Sequence, residues 1–339
     1  MQKVALVGYG FMGQMHSNAY AALPNAELAV VVDVDAAKRE AAREKHGAAV
    51  VETVDSVLAD SSISVVDVCL PTNLHKGYTV RALQAGKSVL CEKPMARTPE
   101  DCQEMIAAAA SAPGKLMIAQ CLRFWPEYAK AKEIMDSGRL GKVESVTCRR
   151  VSPRPTWSWE NWLQQPERSG GALLDLHVHD IDTIVWMLGK PKAVRAHGIQ
   201  RGSAWDHVWA SYVFEGALAA AAEGAWDYGT GFPFSMSFCI GLEGGAILYD
   251  SGRTPTIQVV GYASGVSETP ELKKVAASGG ATSGNISDMG GYFLEIEYFI
   301  GCLESGVDPV AVPLAETALD IRIAFAEMES AASGKTVEL

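Results

Sequence analysis

The sequence predicts two domains of different class: an α/β domain built on a parallel sheet, then an α+β domain with an open, mostly antiparallel sheet. Over the first 122 residues, apolar runs of strand length alternate with helical segments, which is the pattern of a parallel sheet covered by helices. After about residue 142, strand-like runs follow one another with short turns, which predicts hairpins. We therefore expect domains at residues 1–122 and 123–339.

Each element of the first domain has a local signal. Strands are expected at residues 4–7, 27–33, 65–70, 88–91 and 116–119, and helices at residues 16–23, 36–46, 74–85 and after residue 98. For the last of these helices, Thr98 suits the N-cap, because its hydroxyl can accept a backbone hydrogen bond, and Pro99 suits the first helical position.

In the second domain, strands outnumber helices. Strands are expected at residues 142–151, 193–200, 207–214, 217–226, 235–241 and 246–249, and helices at residues 127–137, 292–303 and 314–333, with one more inside 170–189. Residues 261–291 are rich in Gly, Ser and Ala and show no periodicity, which predicts a loop.

The first strand runs into a glycine-rich turn with the spacing of a dinucleotide-binding fingerprint. Gly8, Gly10 and Gly13 form a GxGxxG motif, and Asp33 ends the next strand. The three glycines allow a tight turn, close approach of a phosphate and close packing of the helix on the strand, while the helix N-terminus binds the pyrophosphate. Asp33 is expected to accept the ribose hydroxyls and to repel a 2′-phosphate.

The fingerprint predicts a Rossmann domain that binds NAD. The cofactor-binding residues expected from this turn and the following strand are Gly8, Gly10, Phe11, Met12, Gly13 and Asp33.

Composition excludes several other classes of protein. The chain has 339 residues, 48% of them hydrophobic, and a net charge of -11, so it can bury two cores and has no basic stripe for nucleic acid or an anionic membrane. No apolar run approaches the roughly 20 residues that span a bilayer, and the first residues already read as a strand. We therefore expect a cytoplasmic protein. Its seven scattered cysteines, without a CxxC pair, indicate reduced thiols.

Residues 170–189 contain the second informative pattern, GGxxxDxxxHxxD, on a predicted helix. Asp175, His179 and Asp182 are spaced at i, i+4 and i+7, so they share one face of that helix, and the other face is apolar. A carboxylate beside an imidazole in a polar cleft can transfer protons. A solvated face with structural ion pairs would explain the same pattern.

His177 and His179 do not read as a metal site. On a helix, side chains two positions apart point about 200° away from each other, so the two imidazoles cannot coordinate one ion. No metal is expected. His177 shares the apolar face, and we interpret it as a buried histidine beside Asp180.

Two loops follow neighbouring strands of the predicted parallel sheet. Ligands of such sheets lie outside the carboxyl ends of the strands, so both loops should border the nucleotide. The residues expected there are Pro71, Thr72, Asn73 and His75 in the first loop, and Glu92 and Lys93 in the second. Lys93, with Pro94 fixing the chain after it, is placed to bond a substrate oxygen; a solvated surface charge is the alternative.

Together, the GxGxxG turn, Glu92-Lys93-Pro94 and the later motif of residues 170–182 resemble the Gfo/Idh/MocA family of glucose-fructose oxidoreductase and inositol dehydrogenase relatives. The likeness covers essentially the whole chain. It implies that Lys93, Asp175 and His179 surround the reacting carbinol of a sugar or polyol, at the cleft between the domains. It also implies that the second domain binds substrate and forms a homodimer or homotetramer. His177 stands where relatives commonly have a small residue, so it is expected to narrow the pocket or to add a hydrogen bond.

The resemblance predicts an NAD-dependent dehydrogenase acting on a secondary hydroxyl of a cyclic sugar, sugar derivative or polyol. Arg123, Trp157 and Trp162 could line the sugar, although tryptophans are also common in cores and interfaces. The alternatives are a glycosidase that uses NAD for transient oxidation and a cofactor-binding regulatory protein without turnover. The presence of Lys93, Asp175 and His179 favours an enzyme.

Overall fold

The computed structural model describes residues 1–202, 204–273 and 289–339. The strands of the first sheet are β1 Gln2–Val7, β2 Ala26–Val32, β3 Ala49–Val51, β4 Val65–Val68, β5 Ser88–Glu92 and β6 Leu116–Ala119. Those of the second are β7 Val143–Pro153, β8 Ala193–Arg201, β9 Ala204–Val213, β10 Ala219–Tyr228, β11 Ser235–Leu242, β12 Gly245–Asp250, β13 Ile257–Gly261, β14 Ser267–Glu268 and β15 Val337–Glu338.

The helices of the described residues follow the same chain order. They are α1 Phe11–Ala22, α2 Ala36–His46, α3 Asp55–Ala59, α4 His75–Gln84, α5 Pro99–Ser111, α6 Pro126–Asp136, α7 Pro166–Ser169, α8 Val178–Leu188, α9 Gly290–Ser305 and α10 Leu314–Ser333. Among them, none has the length and apolar character needed to cross a bilayer.

The chain forms two compact units that are discontinuous in sequence. The first unit comprises residues 1–124 and 157–162 and the described part of 275–318, and the second unit comprises the remaining described residues. The division predicted between residues 122 and 123 stays a prediction.

The first unit is built on a six-stranded sheet in the order β3-β2-β1-β4-β5-β6, in which every pair is parallel. All four residues of β4 and of β6 are buried, as expected where helices cover both faces of a sheet. Its core also includes Ile296, Phe299 and Ile300 of α9, from far along the chain. The hydroxyl of Thr98 accepts a hydrogen bond from the Asp101 amide at 3.2 Å, so it caps α5 as predicted.

The second unit contains a nine-stranded sheet in the order β14-β13-β12-β11-β7-β10-β9-β8-β15. Strands β7 and β10 pair in parallel, and the other pairs are antiparallel. Buried and more exposed residues alternate along β11 and β12, because one face of the sheet is covered and the other is open. The predicted fold class, a parallel α/β domain with an open, mostly antiparallel second sheet, is confirmed.

The structure departs from the predicted elements in several places. The helix predicted within residues 170–189 is confirmed, but it contains a π-helical turn at Leu173–His177, directly before α8, that was not predicted. Strands β3, β13 and β15 and helix α3 were not predicted. Within the predicted loop at 261–291, β14 and the start of α9 are regular structure, and residues 274–288 lie outside the described residues.

Candidate active site

The glycine turn after β1 has the geometry that the fingerprint requires. Gly8 has a φ of 96°, and a Cβ there would lie 2.4 Å from the carbonyl oxygen of Cys69. A Cβ on Gly13 would lie 1.9 Å from the carbonyl oxygen of Gly8, so α1 can pack this closely only with glycine. Apart from its chain neighbours, no atom of the described residues lies within 4 Å of the Cβ position of Gly10, which leaves room for a phosphate at the start of α1.

The carboxylate of Asp33 is held beside this turn by two backbone amides. One carboxylate oxygen accepts a hydrogen bond from the Tyr9 amide at 2.7 Å, and the other accepts one from the Asp35 amide at 2.8 Å. Each oxygen keeps a second lone pair for a ligand hydroxyl. The guanidinium of Arg39 donates to the carbonyl oxygens of Asp33 and Val34, at 2.7 and 3.0 Å.

Arg39 was not among the predicted residues, because no basic residue follows Asp33 directly in the sequence. Arg39 lies in the first turn of α2, six positions along the chain, and its side chain is 20% exposed. A helix that starts beside the end of β2 brings this residue back to Asp33.

The loops after β4 and β5 are tied together by His75. Its Nδ1 lies 2.8 Å from the carbonyl oxygen of Pro94, and its Nε2 lies 2.8 Å from that of Leu70. His75 is buried, as are Pro71 and Thr72, whereas Asn73 is exposed. His75 therefore joins two of the loops that were predicted to border the nucleotide.

Lys93 follows β5 directly and is half-buried. Its backbone N–H donates a hydrogen bond to the carboxylate of the preceding Glu92 at 3.0 Å. Glu92 is 5% exposed, so the backbone of Lys93 is attached to a buried side chain.

In the second unit, Asp175 lies within the π-helical turn and His179 lies in the first turn of α8. Both are half-buried, whereas Asp182, predicted on the same face, is 1% exposed. Because a π-helical turn is wider than an α-helical turn, it rotates Asp175 relative to the residues of α8 that follow it. Such turns are frequent at functional sites.

His177 lies within the packing of the second unit. It is fully buried, and its Nε2 lies 3.1 Å from a carboxylate oxygen of Glu327. A Cβ on Gly224 of β10 would lie 2.5 Å from His177 Nδ1, so the glycine makes room for the imidazole. Burial lowers the pKa of His177, but attraction by Glu327 and the hydrogen bond to it outweigh burial and raise the pKa above its usual value.

The predicted burial of His177 is confirmed, but its partner differs from the one predicted. Its carboxylate partner is Glu327 of α10, not Asp180, because Asp180 is paired with Arg150. Arg150 Nε and Asp180 Oδ2 are 3.1 Å apart, and both side chains are buried. The imidazole lies between its own helical turn, Gly224 and Glu327, and the expectation that His177 narrows the substrate pocket or adds a hydrogen bond stays a prediction.

The residues predicted to line a sugar belong to the first unit. Trp157 is 43% exposed, and its ring centroid lies 5.3 Å from that of Phe11, the first residue of α1. Trp162 is half-buried. Arg123 is 5% exposed, and its Nη1 donates to the carbonyl oxygen of Ala311 at 3.0 Å and to the carboxylate of Glu316 at 2.7 Å.

The segment that carries Trp157 is unusual in its backbone. Glu160 and Asn161 have φ values of 49° and 55°, which non-glycine residues rarely adopt. The ammonium of Lys38, in α2, lies 5.6 Å from the ring centroid of Trp159. The segment thus contacts the two helices that follow the fingerprint glycines and Asp33.

Comparison with known proteins agrees with both units. Residues 2–120 match the model of an oxidoreductase family with an NAD-binding Rossmann fold, and residues 128–252 match the model of the GFO/IDH/MocA C-terminal domain. A levoglucosan dehydrogenase solved with NADH and levoglucosan superimposes with a TM-score of 0.85 at 26% identity, covering 99% of each chain.

Two curated relatives are similar over a shorter stretch. Inositol 2-dehydrogenase of Rhizobium meliloti is 32% identical over 195 residues, 57% of each chain. D-glucoside 3-dehydrogenase of Escherichia coli is 32% identical over 203 residues, 59% of this chain and 58% of the relative. The matches thus span less than two thirds of the relatives. The predicted family is confirmed: with an NAD-binding Rossmann unit and the matching C-terminal domain, the chain belongs to the Gfo/Idh/MocA family of oxidoreductases.

Proposed function

We propose that the protein is an NAD-dependent dehydrogenase that moves a hydride between nicotinamide C4 and a secondary hydroxyl-bearing carbon of a cyclic sugar, sugar derivative or polyol. The observation that carries this proposal is the open glycine turn beside Asp33 in a chain that keeps Lys93, Asp175 and His179 at the family's motif positions. Relatives named as inositol and glucoside dehydrogenases support the substrate class.

Side chains of this protein would accept the proton of the substrate hydroxyl and stabilise the negative charge that develops on its oxygen. Bound NAD supplies the hydride acceptor. His179 takes the hydroxyl proton as the C–H bond releases its hydride, because imidazole has the ordinary pKa nearest to neutrality. The Lys93 ammonium donates a hydrogen bond to the same oxygen and stabilises its developing negative charge. Asp175 orients His179 or binds a neighbouring hydroxyl.

The cofactor preference follows from Asp33. Its two carboxylate oxygens are held by backbone amides at 2.7 and 2.8 Å, in an orientation that suits ribose hydroxyls and repels a 2′-phosphate. Arg39 opposes this preference, because a guanidinium suits a phosphate. Since its Nη1 already donates to two carbonyl oxygens, we propose that NAD is preferred over NADP.

The remaining cofactor and substrate contacts are proposed from position. Gly8, Gly10, Phe11, Met12 and Gly13 would face the pyrophosphate, and Pro71, Thr72, Asn73, His75 and Glu92 would surround the nicotinamide end. Trp157, Trp162 and Arg123 are proposed for the sugar, because aromatic rings suit the apolar faces of sugars. The bonds of Arg123 to Ala311 and Glu316 make it the weakest member of this set.

The test is NADH formation by the purified protein with a panel of inositols, aldoses, anhydro-sugars and glycosides, each with NAD and with NADP. We expect turnover with at least one polyol or sugar and a higher kcat/KM with NAD. Release of a reducing sugar without net NADH would contradict the proposal in favour of a glycosidase. Coenzyme binding without turnover of any compound would contradict it in favour of a regulatory protein. Equal or better kcat/KM with NADP would overturn the cofactor preference alone.

We also propose that the protein is a homodimer or homotetramer formed through the open face of the nine-stranded sheet. Trp209 is 42% exposed on β9 and lines a cavity of about 460 Å³ with Arg149 and Cys239. Exposed apolar surface of this kind marks association sites. Sedimentation should give the mass of two or four chains, and Trp209→Glu should lower it; a monomeric mass for the unaltered protein would contradict the proposal.

A cytoplasmic location is proposed from the thiols. All seven cysteines are free, four of them among the buried residues of the first unit, as in proteins of reducing compartments. Fractionation of cells that express the tagged protein should recover it with cytoplasmic markers, and recovery with membranes or outside the cell would contradict this.

A further inference from the structure

Lys93 lies between two residues that each contact a buried histidine. On one side, Glu92 accepts the Lys93 N–H through Oε2, and its Oε1 lies 3.2 Å from His16 Nε2. On the other side, the carbonyl oxygen of Pro94 lies 2.8 Å from His75 Nδ1. His16 and His75 are 0% and 1% exposed.

His16 is also attached to the centre of the sheet. Its Nδ1 lies 2.8 Å from Oδ2 of Asp67 in β4, and the Cys69 sulfur lies 3.4 Å from the same nitrogen. A Zn²⁺ ion, with bonds of about 2.0–2.1 Å to N and O, would hold two tetrahedral ligand atoms about 3.3 Å apart. A separation of 2.8 Å is instead that of a direct hydrogen bond. His16 therefore bridges two carboxylates, Asp67 and Glu92.

The charges around His16 favour the imidazolium. Burial lowers the pKa of His16, but attraction by the Asp67 carboxylate and the hydrogen bond to it outweigh burial and raise the pKa well above its usual value. Burial also raises the pKa values of Tyr20 on α1, Cys69 after β4 and Glu295 on α9, which favours their neutral forms. The imidazolium is thus balanced by two carboxylates: its Nδ1 donates a hydrogen bond to Asp67, and its Nε2 forms an ion pair with Glu92 at 3.2 Å.

We propose that His16 is a positioning residue for Lys93: through the Glu92 carboxylate it holds the backbone of the lysine against the sheet. His16 lies on α1, three residues after Gly13, so the helix that would bind the pyrophosphate also supports the loop that carries Lys93. A displacement of a catalytic group by about 1 Å can cost a hundredfold in rate. This inference rests on the proposed function of Lys93.

The chain offers a matched control. His207 of β9 is also nearly buried between two carboxylates, with Nε2 3.0 Å from Glu223 and Nδ1 3.1 Å from Asp227. It belongs to the second unit, and neither carboxylate adjoins a residue of the proposed site. His207→Gln therefore removes the same kind of interaction without touching Lys93.

The kinetic test compares His16→Gln, Glu92→Gln and the double variant with His207→Gln. We expect kcat to fall about tenfold or more in His16→Gln and Glu92→Gln, with the NAD Kd of His16→Gln within about twofold of the unaltered protein's. If His16 acts through Glu92, kcat of the double variant should be little lower than kcat of the slower single variant. His207→Gln should keep kcat within about twofold. Unchanged kcat in both Glu92→Gln and His16→Gln, or fully additive losses, would overturn the proposal.

A second readout does not require turnover. Lysines labelled by reductive ¹³C-methylation give resolvable NMR signals, and Lys93→Arg assigns the signal of Lys93. We expect His16→Gln to shift that signal and His207→Gln to leave it in place; an unmoved signal in a folded His16→Gln protein would overturn the positioning role. If His16→Gln does not fold, Glu92→Gln carries the same comparison. If Lys93→Met keeps full activity, the proposed role of Lys93 fails whatever the outcome for His16.

Discussion

His16 in the first unit and His177 in the second are both completely buried, and each ring has a nitrogen about 3 Å from a carboxylate oxygen. In both cases burial lowers the pKa and the neighbouring carboxylate more than compensates, so the pKa is raised. The two sites differ in where the carboxylates lie along the chain.

One carboxylate partner of His16, Glu92, adjoins Lys93, so the pair is attached to a loop of the proposed active site. The partner of His177 is Glu327 in the middle of α10, which also accepts a hydrogen bond from the hydroxyl of Tyr212 at 2.7 Å. The same interaction therefore supports the loop that carries Lys93 in one unit and the packing of a helix on a sheet in the other. Pairing and burial alone do not distinguish the two roles.

Removing His177 should have the largest effect on stability. His177→Leu leaves Glu327 buried without its partner, which should lower the free energy of unfolding by about 3–5 kcal/mol in urea titrations. His177→Leu with Glu327→Leu should recover most of that loss, because a buried pair can be replaced by apolar groups. Molecules that stay folded should lose less kcat than those with His16→Gln. A near-native free energy of unfolding for His177→Leu would contradict the packing role.

A smaller expected effect is the dependence of the free energy of unfolding on pH. The folded pKa values of His16 and His177 lie above the ordinary 6.5, so their stabilising contribution is complete below about pH 6.5 and is lost as pH rises through the folded values. In that window, the loss of the proton from each histidine should lower the free energy of unfolding by about 1.4 kcal/mol for each unit by which the pH rises. The check is urea titration from pH 6 upward, in which His177→Leu should show a shallower slope than the unaltered protein. Identical slopes would mean that His177 keeps its ordinary pKa.

Features with a local cause could be predicted from the sequence. The glycine turn, the N-cap at Thr98 and the helix of residues 36–46 each depend on neighbouring residues, and the structure has all three. The parallel sheet followed by hairpins was legible for the same reason, because strand and helix periodicities are local.

Features that depend on distant residues could not be predicted. Helix α9 supplies Ile296 and Phe299 to the core of the first unit, although it begins at Gly290 and β6 ends at Ala119. The pairing of His16 with Glu92 and of His177 with Glu327 joins positions that no spacing rule connects. The π-helical turn at Leu173–His177 has an apolar pattern that also fits an α-helix, so periodicity does not reveal it.

The most direct test of the account is the Lys93→Met variant, measured for kcat and for NAD affinity beside the unaltered protein. Lys115→Met is the control, because Lys115 forms a surface ion pair with Asp308 at 2.6 Å in the same unit. If Lys93 donates to the reacting oxygen, kcat should fall by roughly a hundredfold or more, as for loss of a preorganised donor, while the NAD Kd stays within about twofold. Unchanged turnover would remove Lys93 from the mechanism, and loss of NAD affinity would assign it to the cofactor instead.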